Sequence, residues 1–211
     1  MARARVGDKR LQILDAAVEV FAERGFYNAR VSDVAASAGV ADGTIYLYFK
    51  NKDDLLIHVF EDRMDGILQD MRDRLAAGED TLSKLRILIG EHLALVERDA
   101  SLAAVLSVEL RQSSKFVRDY KAHKFYEYMG LIEDLFDQGA REGCFRFDLH
   151  PKLYRRAIFG ALDEIVSFWV TLERQGQEPP CSLVTAADQV FKLFVSGLHN
   201  GECEQTDRSI C

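Results

Sequence analysis

Residues 29–52 read ARVSDVAASAGVADGTIYLYFKNK, and the rest of the chain is interpreted outward from them. Val34, Ala35 and Ala38 fall at helical spacing on one face. Gly39 follows with the freedom to take the left-handed conformation that closes a helix. Ile45 and Phe49 mark a second apolar stripe, four residues apart. With that stripe turned inward, Thr44, Tyr46, Leu47 and Tyr48 face outward, an odd place for large aromatics on a plain core element. Ala35 is small where the two axes would cross. The pattern predicts a helix-turn-helix whose second helix is the reader. Asn51 is placed to cap the next helix, with Asp54 as the partner of a capping box, and this puts Lys52 in a first turn beside free backbone N–H groups. A lysine at a helix N-terminus predicts a phosphate seat. The plainer reading, a helical hairpin with surface tyrosines, is opposed by the whole constellation more than by any single residue.

The 211 residues suffice for one large or two small domains, and at 48% hydrophobic they can bury a real core. Three prolines and no run of alternating β-branched residues predict an all-α chain of about nine helices. No apolar stretch approaches the ~18 residues that span a bilayer. The basic N-terminal residues are not followed by the apolar core of a secretion signal. The expectation is a cytoplasmic protein with no membrane segment. Cys144, Cys181, Cys203 and Cys211 are scattered without a Cys-x-x-Cys pair, which predicts reduced thiols and no metal site. A formal charge of −7 argues against a general nucleic-acid coat, yet residues 1–52 carry +2 and the remainder −9. A mildly basic head on an acidic body suits docking to double-stranded DNA by one end.

The chain then divides into a three-helix helix-turn-helix head, residues 1–52, and a larger helical ligand-binding and dimerisation domain, residues 53–199. A polar tail over residues 200–211 is predicted to be disordered. Residues 1–8 read as an arm whose Arg3 and Arg5, with Lys9 and Arg10 behind them, meet either phosphates and a minor groove or only solvent. Helices are predicted over about 9–24, 52–76, 81–97, 100–112, 114–141 and 182–199, with another starting near Pro151. The helix over 52–76 spans both domains, as a lever would. The one after Pro151 is apolar almost all round over 157–172, so it must be covered on both sides. It and the last helix either pair with a second chain or lie together in one core.

Residues 111–124 hold Arg111, Lys115, Arg118, Lys121 and Lys124 against Asp119 alone, a local charge of +4. Such a run is either a solvated face or a seat for an anionic ligand, since Arg and Lys bind phosphates. Aromatics interleave with it, and others follow on the helix after Pro151. The candidate ligand contacts are Arg111, Gln112, Lys115, Arg118, Tyr120, Lys121, Lys124, Phe125, Tyr128, Phe159 and Trp169. An apolar interior beside a cationic mouth suits a long greasy tail with a phosphorylated head, such as a long-chain acyl-CoA. His92, alone among apolar neighbours, reads as a satisfied core histidine. Asp163 and Glu164 need partners in an apolar helix; Arg155, Arg156, a lysine or the pocket itself can supply them. No nucleophile, metal triad or Gly-rich phosphate loop accompanies them, so no catalytic residue is assigned and the chain is not read as an enzyme.

Residues 39–56, GVADGTIYLYFKNKDDLL, resemble the recognition segment of the TetR family of bacterial one-component repressors. ELRQS (109–113), IFGALDEIVSFWV (158–170) and LFVSGLHN (193–200) resemble the acyl-CoA-responsive regulators of fatty-acid degradation within that family. The resemblance implies a repressor that binds a palindromic operator as a homodimer, paired through its last two helices. It is released by long-chain acyl-CoA, an effector rather than a cofactor, and controls fatty-acid degradation genes. The implied DNA contacts are Arg30, Ser32, Gly43, Thr44, Tyr46, Tyr48 and Lys52. Where the family has Ser or Thr capping the first helix of the motif, this chain has Arg30; either Ser32 caps instead or Arg30 itself reaches a phosphate. The alternatives are the same fold answering another hydrophobic effector, as in efflux regulation, and a helical interaction protein with no DNA target.

Overall fold

Helix-forming stripes of apolar residues account for the architecture element by element. The computed structural model describes residues 2–109, 123–146, 148 and 150–198, excluding the side chains of 2–8 and 109. In α1 (Ala2–Arg24), Ile13, Leu14, Ala17 and Phe21 are fully buried, and Gly25 at φ 75° ends the helix. Its backbone is helical from Ala2, so residues 2–8 extend α1 instead of forming a separate arm. In α2 (Val31–Ser37), Val34 and Ala35 are buried, and Gly39 at φ 64° closes the turn as expected. α3 (Asp42–Ile45) is one turn long, prolonged by N–H bonds from Leu47 to the Thr44 carbonyl and from Tyr48 and Phe49 to that of Ile45.

α4 (Lys52–Ala76) carries the stripe Leu55, Leu56, Val59, Phe60, Met64, Leu68 and Met71 inward. α5 (Thr81–Leu93) continues through Ala94, which stays right-handed, into α6 (Leu95–Arg98). α7 (Ala100–Ala104) is capped by the Asp99 carboxylate, which accepts from the Leu102 N–H at 2.8 Å. The helix predicted over 100–112 does not run on unbroken, because Val105–Glu109 widens into a π-turn. There Ser107 donates its hydroxyl back to the Ala103 carbonyl at 2.6 Å, a bond that competes with the regular ladder. α8 (His123–Arg141), α9 (Pro151–Arg174) and α10 (Leu183–Leu198) complete the described chain. Counting α5 and α6 as one, there are nine α-helical segments among the described residues, and the fold is all-α.

One continuous hydrophobic core runs through head and body. α4 packs on α1 at one end and on α5 and α8 further along, while α1 also rests on α7 and the π-turn. Arg174, at the end of α9, donates to the Ala22 carbonyl of α1 at 2.9 Å. Head and body are therefore joined through α1 and Arg174 as well as through α4. Gly139 of α8 lies flat against the buried ring of Phe145, where a Cβ would come within 2.2 Å of it. Among the described residues no helix is long and apolar enough to cross a membrane. The tail over 200–211, with Cys203 and Cys211, lies outside the described residues.

Candidate nucleic-acid interface and ligand cavity

The head presents a short reading surface. Tyr46 and Leu47 stand out at 58% and 80% exposure, and Gly43 is exposed beside them. Thr44 is half-buried, and so is Tyr48, whose ring packs on the core beside Phe49 instead of pointing fully outward. A four-residue helix turns quickly into a turn, so Tyr48 leaves the face that Tyr46 occupies. Arg30 is the N-cap of α2, with no side-chain cap bond of its own, since a guanidinium has no acceptor. Asp33 replaces it: its carboxylate accepts from the Arg30 N–H at 2.8 Å and pairs with Arg24 at 2.7 Å. The Arg30 amide bond, helped by Arg24, holds the Asp33 carboxyl below its usual range. Ser32 sits exposed in the first turn and does not take over the cap.

The start of α4 departs from expectation at Asp54 and at Lys52. Asn51 caps it, accepting from the Asp54 N–H at 2.9 Å, while the Asp54 carboxylate reaches past the cap to the Lys50 N–H at 2.8 Å. Lys52, expected at a phosphate, donates its ammonium instead to the carbonyls of Phe26, Tyr27 and Ala29 at 2.5, 3.1 and 3.0 Å. It also lies 4.6 Å from the centre of the Phe26 ring. The turn after α1 gathers three carbonyls at one point, and a single cation donates to all of them. The partial burial this requires pulls the Lys52 pKa down.

In the body, α4, α5, α7, α8 and α9 enclose a cavity of about 670 Å³, within the ~300–1,000 Å³ range of ligand sites. Its buried lining includes Phe60, Met64 and Met71 of α4, Leu102 and Ala103 of α7, and Val166 of α9. Exposed lining residues, Gly66, Asp70, Arg98, Tyr126 and Arg156, form the rim. Of the candidates, Phe125, Tyr128 and Phe159 line the space. The ring of Phe159 stands edge-on to Phe125, Tyr128 and His92, at 5.0, 6.0 and 5.9 Å between centroids. His92 lines the cavity too, with Nδ1 2.6 Å from the Tyr128 hydroxyl. Burial pushes its pKa down to about 4 and raises that of Tyr128, so both are neutral.

Two expectations are corrected here, and for Asp163 the structure selects one of the alternatives left open, the pocket wall. Trp169 does not line the cavity with Phe159, Asp163 and Val166; it is half-buried against the core beside it and packs edge-on to Phe168 at 5.6 Å. Lys124 is not an unpaired cation, for Asp65 of α4 and Glu127 hold it at 2.6 and 3.2 Å, and Arg72 shares Glu127 at 3.1 Å. Asp163 and Glu164 separate, Asp163 into the cavity wall and Glu164 to the surface; Arg155 is bonded to Glu133 of α8. Arg111, Gln112, Lys115, Arg118, Tyr120 and Lys121 lie outside the described residues. The π-turn residue Ser107 and the methionines of α4 were read only as parts of helices or core. Two methionines on one stripe, with soft and adaptable side chains, are the signal that could have marked a pocket wall.

Comparison with known proteins bears on both halves. Residues 13–59 match the bacterial regulatory proteins of the tetR family, and residues 60–197 match the C-terminal region of YsiA-like proteins. The chain belongs to the tetR family of bacterial regulatory proteins. The seam between the two matched regions falls inside α4, the helix that packs on head and body alike. Over 192 residues this tetR-family chain is 38% identical to the fatty acid metabolism regulator protein of Bacillus subtilis, covering 91% of this chain and 96% of that one. The structure of the regulator FadR from Bacillus subtilis in complex with stearoyl-CoA aligns with a TM-score of 0.80 at 38% identity, covering 90% of this chain and 99% of that one. The fatty acid degradation regulator FadR of Bacillus halodurans aligns at a TM-score of 0.79 and 38% identity, over 89% and 98% of the two chains.

Proposed function

We propose that this protein is a tetR-family transcriptional repressor that binds a near-palindromic operator as a homodimer and is released from it by a long-chain acyl-CoA, so that fatty-acid degradation genes are expressed when their substrate is present. The observation that carries the reading is the apolar cavity built on α4, the same helix whose first residue grips the head. A ligand wedged against Phe60, Met64 and Met71 acts on a helix that the head must follow. The relatives named above support the effector class: one was crystallised with stearoyl-CoA. Each methylene buried in such a cavity is worth about 0.8 kcal/mol, which favours long chains, and the basic residues of 111–124 offer partners to the CoA phosphates.

In this reading the head comprises residues 1–52 and the ligand-binding and dimerisation unit residues 53–199, acting in the cytoplasm where the operator lies. Gly43, Thr44 and Tyr46 face base edges, while Arg30, Ser32 and the half-buried Tyr48 touch the backbone. Lys52 supports the head from inside. The dimer forms on α9 and α10. Leu153, Ala157, Gly160 and Phe168 share one exposed face of α9, with Leu153 and Phe168 71% and 45% exposed, and a second chain would cover that face. The direct test is a titration of stearoyl-CoA into an operator complex, followed by gel shift and by calorimetry. Release by a factor of about 100 needs ~2.7 kcal/mol of coupling, and saturating operator must then weaken stearoyl-CoA binding by the same factor. An operator complex indifferent to stearoyl-CoA would remove the proposed effector.

A further inference from the structure

One wall of the cavity is polar where a hydrocarbon tail needs no polarity. His92 from α5 and Tyr128 from α8 both line it, 2.6 Å apart at Nδ1 and the hydroxyl, with Phe159 of α9 edge-on to both rings. Tyr128 is 3% exposed, so its O–H needs an acceptor inside the protein. Among the described residues that acceptor is Nδ1 of His92. We assign the tautomer from this contact: with the phenol donating, Nδ1 accepts and the ring hydrogen resides on Nε2. Nε2 has no protein acceptor among the described residues, and it is not one of their sealed, unpartnered nitrogens. It therefore opens on the cavity. The apolar wall disfavours an imidazolium here, so the donor is uncharged.

We propose that the Nε2–H of His92 is a specificity contact for an uncharged oxygen of the effector, either the carbonyl oxygen of an acyl thioester or an oxygen carried along the acyl chain. Tyr128 is the positioning residue, since it sets the tautomer and the ring plane, and Phe159 fixes the imidazole from the side. A purely hydrocarbon ligand would leave Nε2–H unpaired once it had expelled water from the cavity, and an ionised carboxylate would find no compensating cation in this pair. The assignment rests on the acyl-CoA reading above and names the atom in the wall that recognises the ester.

Calorimetry with wild type and the double variant His92→Phe/Tyr128→Phe tests it, using palmitoyl-CoA, its S-hexadecyl thioether analogue without the carbonyl, and 3-hydroxypalmitoyl-CoA. The double variant avoids orphaning the phenol, and its melting temperature checks that it folds. A wild-type preference of about five- to tenfold for thioester over thioether, abolished in the variant, supports the contact and identifies the thioester carbonyl. A similar preference for the hydroxy ester over the plain ester, also abolished, supports it and identifies a chain oxygen. Equal wild-type affinity for all three ligands, or a preference that survives in the variant, overturns the proposal and leaves the pair as wall packing. Failure of every CoA ligand to bind wild type is a different result, which overturns the acyl-CoA reading and the contact with it.

Discussion

Lys52 holds three carbonyls of the turn after α1 and lies over the Phe26 ring. Its replacement by Met keeps the stem and removes the ammonium, so three carbonyls lose the Lys52 hydrogen bond. We expect the variant to be destabilised by on the order of 1–2 kcal/mol in urea denaturation, since part of the loss is made good by water. Operator affinity should fall with it, because the head is less well held, yet the slope of log affinity against log salt should not change. A slope reduced by about one unit would instead put the ammonium on a phosphate. Tyr46 behaves oppositely, being exposed and without a role in packing: Tyr46→Ala should leave stability intact and cost ~1–3 kcal/mol of operator binding, relaxing preference at one position per half-site. His92 gives a pH signature. Its ordinary value of 6.5 falls to about 4 through burial, so protons bind the unfolded chain more readily than the folded one. Its neutral state contributes stability that is fully present above pH 6.5 and is lost as pH falls toward 4. The stability difference between wild type and His92→Phe, followed by denaturation across that window, should shift in favour of the variant as acid is added.

Among the elements, those with a regular apolar stripe were legible in sequence. α4 starts at Lys52 and ends at Ala76 as its pattern implies, because Asn51 caps it and its stripe keeps one phase from Leu55 to Met71. α9 begins at Pro151, where the missing N–H has no helical partner to lose. The π-turn after α7 was not legible, for it depends on one hydroxyl, that of Ser107, choosing a carbonyl in the preceding turn. The short α3 was legible in place but not in the direction of Tyr48, since helical spacing fails once the helix stops. The joint of α8 with the segment after it is set by Gly139, whose missing side chain makes room for Phe145. Gly139→Ala should cost about 1–3 kcal/mol through overpacking. An unchanged urea midpoint would show that the ring can step aside.

For the whole molecule, the exposed face of α9 sets the expected assembly. Phe168→Glu places a charge on a surface side chain, so it should preserve the fold, turn the dimer into a monomer by sedimentation, and abolish cooperative operator binding. Val190→Glu, 9% exposed and inside the monomer core, should unfold the chain instead. A Phe168→Glu protein that remains dimeric would move the interface elsewhere. The joining of head to body through α4, α1 and Arg174 is the route by which the proposed ligand in the body would be felt in the head. α7 and the π-turn carry cavity wall on one side and α1 on the other.

The order of residues by itself determined the all-α class, the helix-turn-helix with its Gly39 turn, the cap at Asn51 and the tetR-family likeness, because each of these rests on local chemistry: the period of a stripe, the freedom of a glycine, an acceptor at a helix start. It also marked Phe125, Tyr128 and Phe159 as cavity candidates by type. Only the tertiary structure decided that Lys52 serves the protein's own carbonyls, that Trp169 packs in the core outside the cavity lining, and that Lys124 is held by Asp65 from another helix. The same holds for His92, which a lone position in an apolar helix cannot distinguish from core until Tyr128, thirty-six residues away in sequence, is brought to its Nδ1. The partner of a cation, or of a buried ring nitrogen, is chosen by proximity in space, and no periodicity along the chain records which distant group will come within hydrogen-bonding reach.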